Sequence, residues 1–400
     1  MTQTLVEAVE LEATEPSGGR RAADSPDSMR RALIFMSRYG TLIFLAVLVV
    51  LFAVLSEIIL GNQRFLTGAN VSLVLRQSAV LAILAGGLTV VLLLGEFDLS
   101  IAATLTLGGA MFAQFAQGSY VITWPTIPFT DIGGGAVFGA SWQSTALVAL
   151  IAALVFGFIV GVVNGIVVSY FGVTAFIATL GVAGIVDGYL VRLSDGRSVQ
   201  LPAEITGTVQ GTLFGWRAPS SWKWVVEPFG KTLEIDLGGL SVPIIAVAAL
   251  AVLAVLWVFL NQTEAGRRMD AVGGNAEASR LAGINVRRYR LAAFVICAVV
   301  ASFAGIMLAA GRTGSAVTLV GNQGSYLLQA FTACFLGAVS LKEGEFHIVG
   351  TLIGVALMTV TFSGLIILGV PGYAQTIANG VILVAALTFA GLARRAAAST

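Results

Sequence analysis

The chain has 400 residues, of which 57% are hydrophobic and only 11% are charged, and its formal net charge is +1. Because soluble domains carry about 25% charged residues, this composition excludes a water-facing surface over most of the chain and predicts a polytopic protein of the lipid bilayer. One histidine, His347, and two cysteines, Cys297 and Cys334, leave little material for a metal site or a histidine-based active site. We therefore predict no metal, no catalytic residue, no disulfide and no nucleic-acid partner.

The apolar segments are long enough to cross a membrane as helices. Residues 132–186 contain no Asp, Glu, Lys or Arg, and such unbroken apolar runs exclude the alternating pattern of a membrane barrel. Since about 20 apolar residues cross a bilayer, we predict an all-α polytopic membrane protein with about ten transmembrane helices. They lie near residues 41–60, 78–95, 99–117, 145–168, 175–192, 242–260, 291–310, 325–341, 348–369 and 373–392.

A polar, acid-rich segment precedes the first span, and residues 1–34 are predicted to form a disordered cytoplasmic tail. The transmembrane domain then covers residues 35–393. With the N-terminus inside, 14 Lys and Arg residues fall in inner segments and 8 in outer ones, as the positive-inside rule favours. Both termini are therefore predicted to be cytoplasmic, with a long inner loop at 261–290 and a long outer loop at 193–240.

The outer loop at 193–240 mixes charged residues with Trp216, Trp222 and Trp224. An interfacial aromatic belt is the favoured interpretation. A docking surface for an external partner is the alternative, and the sequence leaves both open.

Two acids interrupt the apolar sequence between the second and third predicted spans, in LLLGEFDLSIAA, which starts at Leu92. A charge at the bilayer centre costs roughly 2.5–3.5 kcal/mol, so Glu96 and Asp98 are not expected to face lipid. Three interpretations remain: a helix break capped by Asp98 or Ser100, side chains that line a solute path, or a wet position at the cytoplasmic end of a span. A helix break is tolerated mainly where it lines a cavity, so the capped break and the path-lining role are compatible. Asn164, in a charge-free span, is a further path candidate, with an interhelical hydrogen bond as its alternative.

The inner loop at 261–290 carries the start and stop signals of a short helix. Asn275 is a favoured N-cap residue, Glu277 lies in the first turn where the helix dipole favours an acid, and Gly283 is placed to end the helix. The loop also carries several arginines, so an ordinary basic loop is the alternative to a helix with a function.

One face of this predicted helix is suited to a partner. Ala278, Leu281 and Ala282 share it at three- and four-residue spacing. The small residues among them would let another protein approach closely, so the helix is a candidate for transmitting force from a partner.

The segment EAGRRMDAVGGNAEASRLAGINV of this loop resembles the cytoplasmic coupling loop of ABC-importer permeases for ribose, xylose and similar monosaccharides. The family pattern has a Gly-Arg pair, then Gly-Gly-Asn, then a small pair and Gly-Ile. The matching positions are Gly266, Arg267, Gly273, Gly274, Asn275, Ala278, Gly283 and Ile284. Ser279 stands where a second alanine is usual.

Other parts of the chain carry the same resemblance, which covers residues 35–392. GEFDLS at 95–100 resembles the family's Gly-Gly-Ile-Asp-Leu-Ser, and FIATLG at 176–181 and VVNGIVV at 162–168 are similar to family segments. FLGAVSLKEGEFHIVGTLIG, in the last third, lacks the double glycines of the commonest members. The chain therefore looks like a divergent branch of this family.

The resemblance implies a permease subunit of an ATP-driven monosaccharide importer in a prokaryotic cell (inner) membrane, working by alternating access. It implies three partners: a second permease copy, a cytoplasmic ABC ATPase and an extracytoplasmic sugar-binding protein. The chain has no phosphate-binding Gly-x-x-x-x-Gly-Lys-Ser/Thr sequence, so no cofactor is expected on it, and ATP and Mg are expected on the ATPase.

The candidate residues follow from these patterns. The substrate-path candidates are Glu96, Asp98, Ser100 and Asn164, and the ATPase-coupling candidates are the eight matched loop positions together with Leu281. One alternative is an ion-coupled secondary transporter in which Glu96 and Asp98 bind protons or Na⁺. A permease for a branched-chain amino acid or a metal chelate is the nearer alternative.

Overall fold

The computed structural model describes residues 27–116, 120–123, 136–140, 146–194, 199–201, 217–226, 233–311, 316–317, 323–338 and 345–398. The helices are α1 (Asp27–Leu60), α2 (Gly68–Leu93), α3 (Ile101–Ala116), α4 (Ala146–Ser169), α5 (Ala175–Ser194), α6 (Ile244–Gln262), α7 (Glu264–Gly274), α8 (Ala276–Leu281), α9 (Val286–Gly311), α10 (Gln323–Ala338), α11 (Ile348–Ile367) and α12 (Gly372–Ala398). The strands are β1 (Tyr120–Thr123), β2 (Ala136–Ala140), β3 (Val199–Gln200), β4 (Lys223–Val226), β5 (Leu233–Asp236) and β6 (Ala316–Val317).

Each of the ten predicted spans coincides with one helix of the described chain, which confirms the all-α polytopic class. Seven of these helices are long and apolar enough to cross a membrane, and α3, α10 and α12 contribute shorter apolar stretches. The main differences lie at helix starts. α1 begins at Asp27, inside the predicted tail, whereas residues 1–26 lie outside the described part of the chain. α2 begins ten residues before the prediction, where the Thr67 hydroxyl caps the helix by accepting a hydrogen bond from Asn70 N at 3.3 Å.

Helices α2 and α9 form the centre of the bundle. Residues 79–92 of α2 are buried, and this helix packs against α6, α9, α10 and α11. Helix α9 packs in addition against α3 and α4. Because lipid offers no hydrophobic driving force between helices, association depends on close packing and interhelical hydrogen bonds.

Glycine permits the closest of these helix crossings. A Cβ on Gly305 of α9 would overlap the backbone oxygen of Leu105 in α3, and a Cβ on Gly354 of α11 would overlap that of Ala333 in α10. Hydroxyl groups add specific links, such as the 2.7 Å hydrogen bond between Thr89 of α2 and Thr351 of α11. Glycines in the described helices, such as Gly305 and Gly354, therefore act as contact points between helices.

The bundle has two distinguishable ends. At one end, the antiparallel pair β4–β5 and the residues around it cover the start of α2, where Ser241 N donates to Ser72 Oγ at 2.9 Å. There, the Gly238 amide and the Lys223 ammonium hold the pKa of Asp236 below its ordinary value. We call this the hairpin end, and we call the opposite end, formed by residues 94–100, 263–285 and 345–347, the loop end.

Candidate functional site at the loop end

The α2–α3 junction is a true helix break. Helix α2 ends at Leu93, where Leu94 N and Gly95 N donate to carbonyl groups of the last turn at 3.1 and 3.0 Å. Gly95 has φ +76, the left-handed conformation that commonly ends a helix. Helix α3 starts only at Ile101, so both acids lie in the connecting segment. The predicted break between the second and third spans is confirmed.

Asp98 stabilises the start of α3. It is fully buried, and its Oδ1 accepts hydrogen bonds from Ser100 N at 2.8 Å and from Ser100 Oγ at 2.6 Å. Ser100 O in turn accepts from Thr104 N at 2.8 Å in the first turn of the helix. Leu99 N donates to Thr179 Oγ1 of α5 at 3.0 Å. The segment is thus held by its own carboxylate and by a neighbouring helix.

Asn164 of α4 joins the same polar network. Its Nδ2 donates to Ser100 Oγ at 2.7 Å, so the three predicted residues form a chain from Asn164 through Ser100 to Asp98. Asn164 Oδ1 is buried and accepts no hydrogen bond from the described residues. The buried Asp98 Oδ2 accepts none from an N–H or O–H group of these residues, and the Cys297 thiol of α9, a weak donor, lies beside the Asp98 carboxyl group. Buried acceptors without donors are costly and call for an explanation.

Glu96 has a different environment from Asp98. It is partly buried, and its Oε1 forms an ion pair with Arg290 Nε of α9 at 3.1 Å. It does not join the Asp98–Ser100–Asn164 network. The structure therefore brings three of the four substrate-path candidates together and places the fourth on the side facing the inner loop.

The inner loop forms two short helices, of which one was predicted. For α8, Asn275 Oδ1 accepts from Ala278 N at 3.0 Å, and Gly283 follows the helix with φ +83, which confirms the cap and the stop. Helix α7 was missed. Its signals are the Thr263 hydroxyl, which accepts from Gly266 N at 3.1 Å, and buried residues at three-residue spacing, Gly266, Met269 and Val272.

The nine predicted coupling residues divide into two groups. Gly266, Gly273 and Ile284 face the protein: a Cβ on Gly266 would overlap the backbone of α6, a Cβ on Gly273 would overlap Leu93 O, and Ile284 packs against the core. The other six are exposed, namely Arg267, Gly274, Asn275, Ala278, Leu281 and Gly283. The Leu281 side chain is 82% exposed.

A cavity of about 620 Å³ lies at the loop end. Its walls come from the α2–α3 junction, the inner loop and the segment before α11. The lining residues are Leu92, Leu93, Gly95, Phe97, Leu260, Asn261, Arg267, Asp270, Gly273, Gly274, Phe335, Glu345, Phe346, His347 and Ile348. His347 directly precedes α11, and its Nδ1 lies 3.1 Å from Glu345 O. Asp98, Ser100 and Asn164 are not among the residues that line this cavity.

Residues 70–387 match the protein family described as branched-chain amino acid transport system / permease component. The chain belongs to this family of permeases. As a permease, it is a multi-pass membrane transport subunit and not an enzyme, as predicted.

The permease is similar to several sugar permeases. It is 33% identical to the ribose import permease protein of Escherichia coli strain K12 over 344 residues, which cover 86% of this chain and 91% of that protein. It is 31% identical to the galactose/methyl galactoside import permease protein of Haemophilus influenzae, over 87% of this chain and 94% of that protein. The xylose transport system permease protein of Escherichia coli K12 is 30% identical, over 82% and 86%. These similarities confirm the predicted relationship to ribose- and xylose-type permeases. No solved structure matches the permease.

Proposed function

We propose that this chain is the membrane permease subunit of an ATP-driven ABC importer for a monosaccharide. The family description names branched-chain amino acid transport, but the full-length relatives are named for ribose, galactose or methyl galactoside, and xylose. A pentose or a related sugar is therefore the favoured substrate over an amino acid or a metal chelate. Membership in a family of transport-system permease components disfavours the ion-coupled alternative.

The observation that carries the proposal is the two-helix inner loop. Helix α7 is packed onto the end of α2, whereas α8 projects Leu281 between the small residues Ala278 and Ala282, all of them exposed. A short helix that exposes a leucine beside small residues suits docking of that face into a groove of another protein. We assign this groove to a cytoplasmic ABC ATPase that carries ATP and Mg, which places the loop end and both termini in the cytoplasm.

A second permease copy is the proposed membrane partner. Helix α5 exposes Phe176 and Ile177, and a Cβ added to Gly181, Gly184 or Gly188 would meet nothing within 4 Å. Small residues on an exposed membrane helix allow another helix to approach closely. We propose that the solute path runs between the two copies.

We propose that the Asp98–Ser100–Asn164 network lies at the wall of this path. We propose that Glu96, the fourth predicted path residue, contributes to the path by positioning the same segment. Asn164 Oδ1 is a buried acceptor that lacks a donor among the described residues, and Asp98 Oδ2 has only the weak Cys297 thiol beside it. The hydroxyl groups of a sugar are suitable donors. An extracytoplasmic sugar-binding protein would deliver the sugar at the hairpin end, where Trp222 is exposed; Trp216 lies outside the described residues.

Substitution of Ala278 by arginine tests the coupling role of α8. Ala278→Arg places a long charged side chain on the exposed face of α8, so we expect loss of ribose, xylose and galactose uptake while the protein remains in the membrane. Uptake of radiolabelled sugar is measured in cells that co-express the ATPase and the sugar-binding protein. Ala271→Arg is the matched control, because Ala271 is an exposed alanine of α7 outside the predicted coupling set. Full sugar-stimulated ATPase activity in Ala278→Arg would contradict the assignment.

A further inference from the structure

Two independent contacts tie the α2–α3 junction to the inner loop. Gly273, near the end of α7, lies so close to Leu93 that a Cβ on it would overlap the Leu93 carbonyl oxygen. On the other side of the loop, Glu96 Oε1 lies 3.1 Å from Arg290 Nε, in the first turns of α9. The segment between α2 and α3 is thus held between α7 and the start of α9.

The Glu96–Arg290 ion pair differs from the other ion pairs of the inner loop. Arg268–Glu264 and Arg280–Glu277 are exposed pairs within single short helices, and such pairs contribute little. Glu96 and Arg290 are distant in sequence, and their side chains are 16% and 32% exposed. Arg290 Nε donates no hydrogen bond within the described residues, so its contact with Glu96 is an ion pair without a directed hydrogen bond. Because charges in a partly buried site are screened less by water, the pair holds the two elements together through charge.

The same short segment also reaches the other helices of the proposed path. The Phe97 ring stacks on Phe331 of α10 with a centroid distance of 6.1 Å. Leu99 N donates to Thr179 of α5, and Ser100 accepts from Asn164 of α4. A displacement of residues 94–97 would therefore disturb the contacts of this segment with α10, α5 and α4 and the hydrogen bonds of the Asp98 network.

The cavity of about 620 Å³ gives this segment room to move. Gly95 and Phe97 line one wall, Asp270 and Gly273 of α7 line another, and His347 lies on the third. Packed interiors resist gradual deformation, so a void between these parts is where relative movement meets least resistance.

We propose that residues 94–97 transmit the movement of the inner loop to the solute path, and that the Glu96–Arg290 pair is the latch that positions them. This inference rests on the proposed function. Glu96 and Arg290 are positioning residues in this account, because they act through the segment rather than on the sugar. The latch also gives Glu96 a role distinct from that of the buried Asp98.

The test uses the permease reconstituted in proteoliposomes with its ATPase and sugar-binding protein. The measured quantity is the amount of radiolabelled sugar imported per ATP hydrolysed, normalised to the permease in the membrane. Glu96→Gln and Arg290→Gln are each expected to lower this ratio by about fivefold or more, the lower end of typical coupling between sites. The double variant Glu96→Arg/Arg290→Glu restores opposite charges and is expected to recover most of the ratio, which loss of general stability would not produce.

Glu264→Gln is the control, because it removes an exposed ion pair of the same loop, that with Arg268, and is expected to keep the wild-type ratio. A wild-type ratio in Glu96→Gln, or a charge-swapped variant as impaired as the single variants, would overturn the latch alone. Absence of ATP-driven sugar import by the wild-type complex would overturn the proposed function and the latch with it.

Discussion

Helices α7 and α8 follow each other directly in the inner loop and have opposite relations to the rest of the protein. Helix α7 buries Gly266, Met269 and Val272 and lies against the end of α2. Helix α8 buries only Ser279 and presents Leu281 outward. The inner loop thus combines one helix that is fixed against the membrane helices with one helix that is exposed. In the proposed assembly, the exposed helix meets the partner, and the fixed helix passes its movement to α2.

The largest effect is expected from Gly273→Ala in α7, the helix that lies against α2. The added Cβ would overlap the Leu93 carbonyl oxygen, and backbone atoms cannot give way as a flexible side chain can. We expect a loss of about 1–3 kcal/mol in the free energy of unfolding, the usual cost of overpacking. It is measured as a fall of several degrees in the melting temperature of the purified permease.

The neighbouring Gly274→Ala is the matched control for this change. Nothing lies within 4 Å of a Cβ at Gly274, and alanine favours helix over glycine. Its melting temperature should equal or exceed that of the wild type. Equal losses in both variants would show that α7 is not packed on α2 as described.

A smaller effect is expected from Asn275→Ala, at the residue that separates the two helices. The substitution removes the side-chain acceptor for Ala278 N and should cost about 1 kcal/mol of local helix stability. Hydrogen exchange at the Ala278 amide should accelerate about fivefold, while exchange in α7 stays unchanged. Asn275→Ser should retain protection, because serine caps about as well as asparagine. Equal acceleration in α7 and α8 would mean that the two helices unfold as one unit.

Much of this architecture could be predicted from the sequence. The ten spans follow from hydropathy, and the cap at Asn275, the stop at Gly283 and the break around Asp98 follow from local residue preferences. The predicted starts of α1 and α2 lie later in the chain than the observed ones, because hydropathy marks only the apolar part of a helix. Polar residues such as Arg76 lie within the helix before that apolar part. Local signals act within a few residues, and these predictions depended on nothing more distant.

The contacts between distant segments could not be predicted. Helix α7 was missed because its amphipathic pattern is short and one of its three buried residues, Gly266, has no apolar side chain. The Glu96–Arg290 pair joins residues from two different parts of the chain, and single-sequence patterns carry no information about such pairing. The sequence also could not predict that Glu96 lies apart from the Asp98 network, because the two carboxyl groups receive different partners only in the folded junction.

In the proposed assembly, α8 contacts the partner ATPase and the hairpin end does not. A photocrosslinking residue placed at Leu281, in the permease co-expressed with its ATPase and sugar-binding protein, tests this arrangement. We expect a covalent adduct between the permease and the ATPase from Leu281, and none from the same residue placed at Ser220, which is exposed at the hairpin end. Absence of the adduct from Leu281, or an equal yield from both positions, would contradict the docking of α8 on the ATPase.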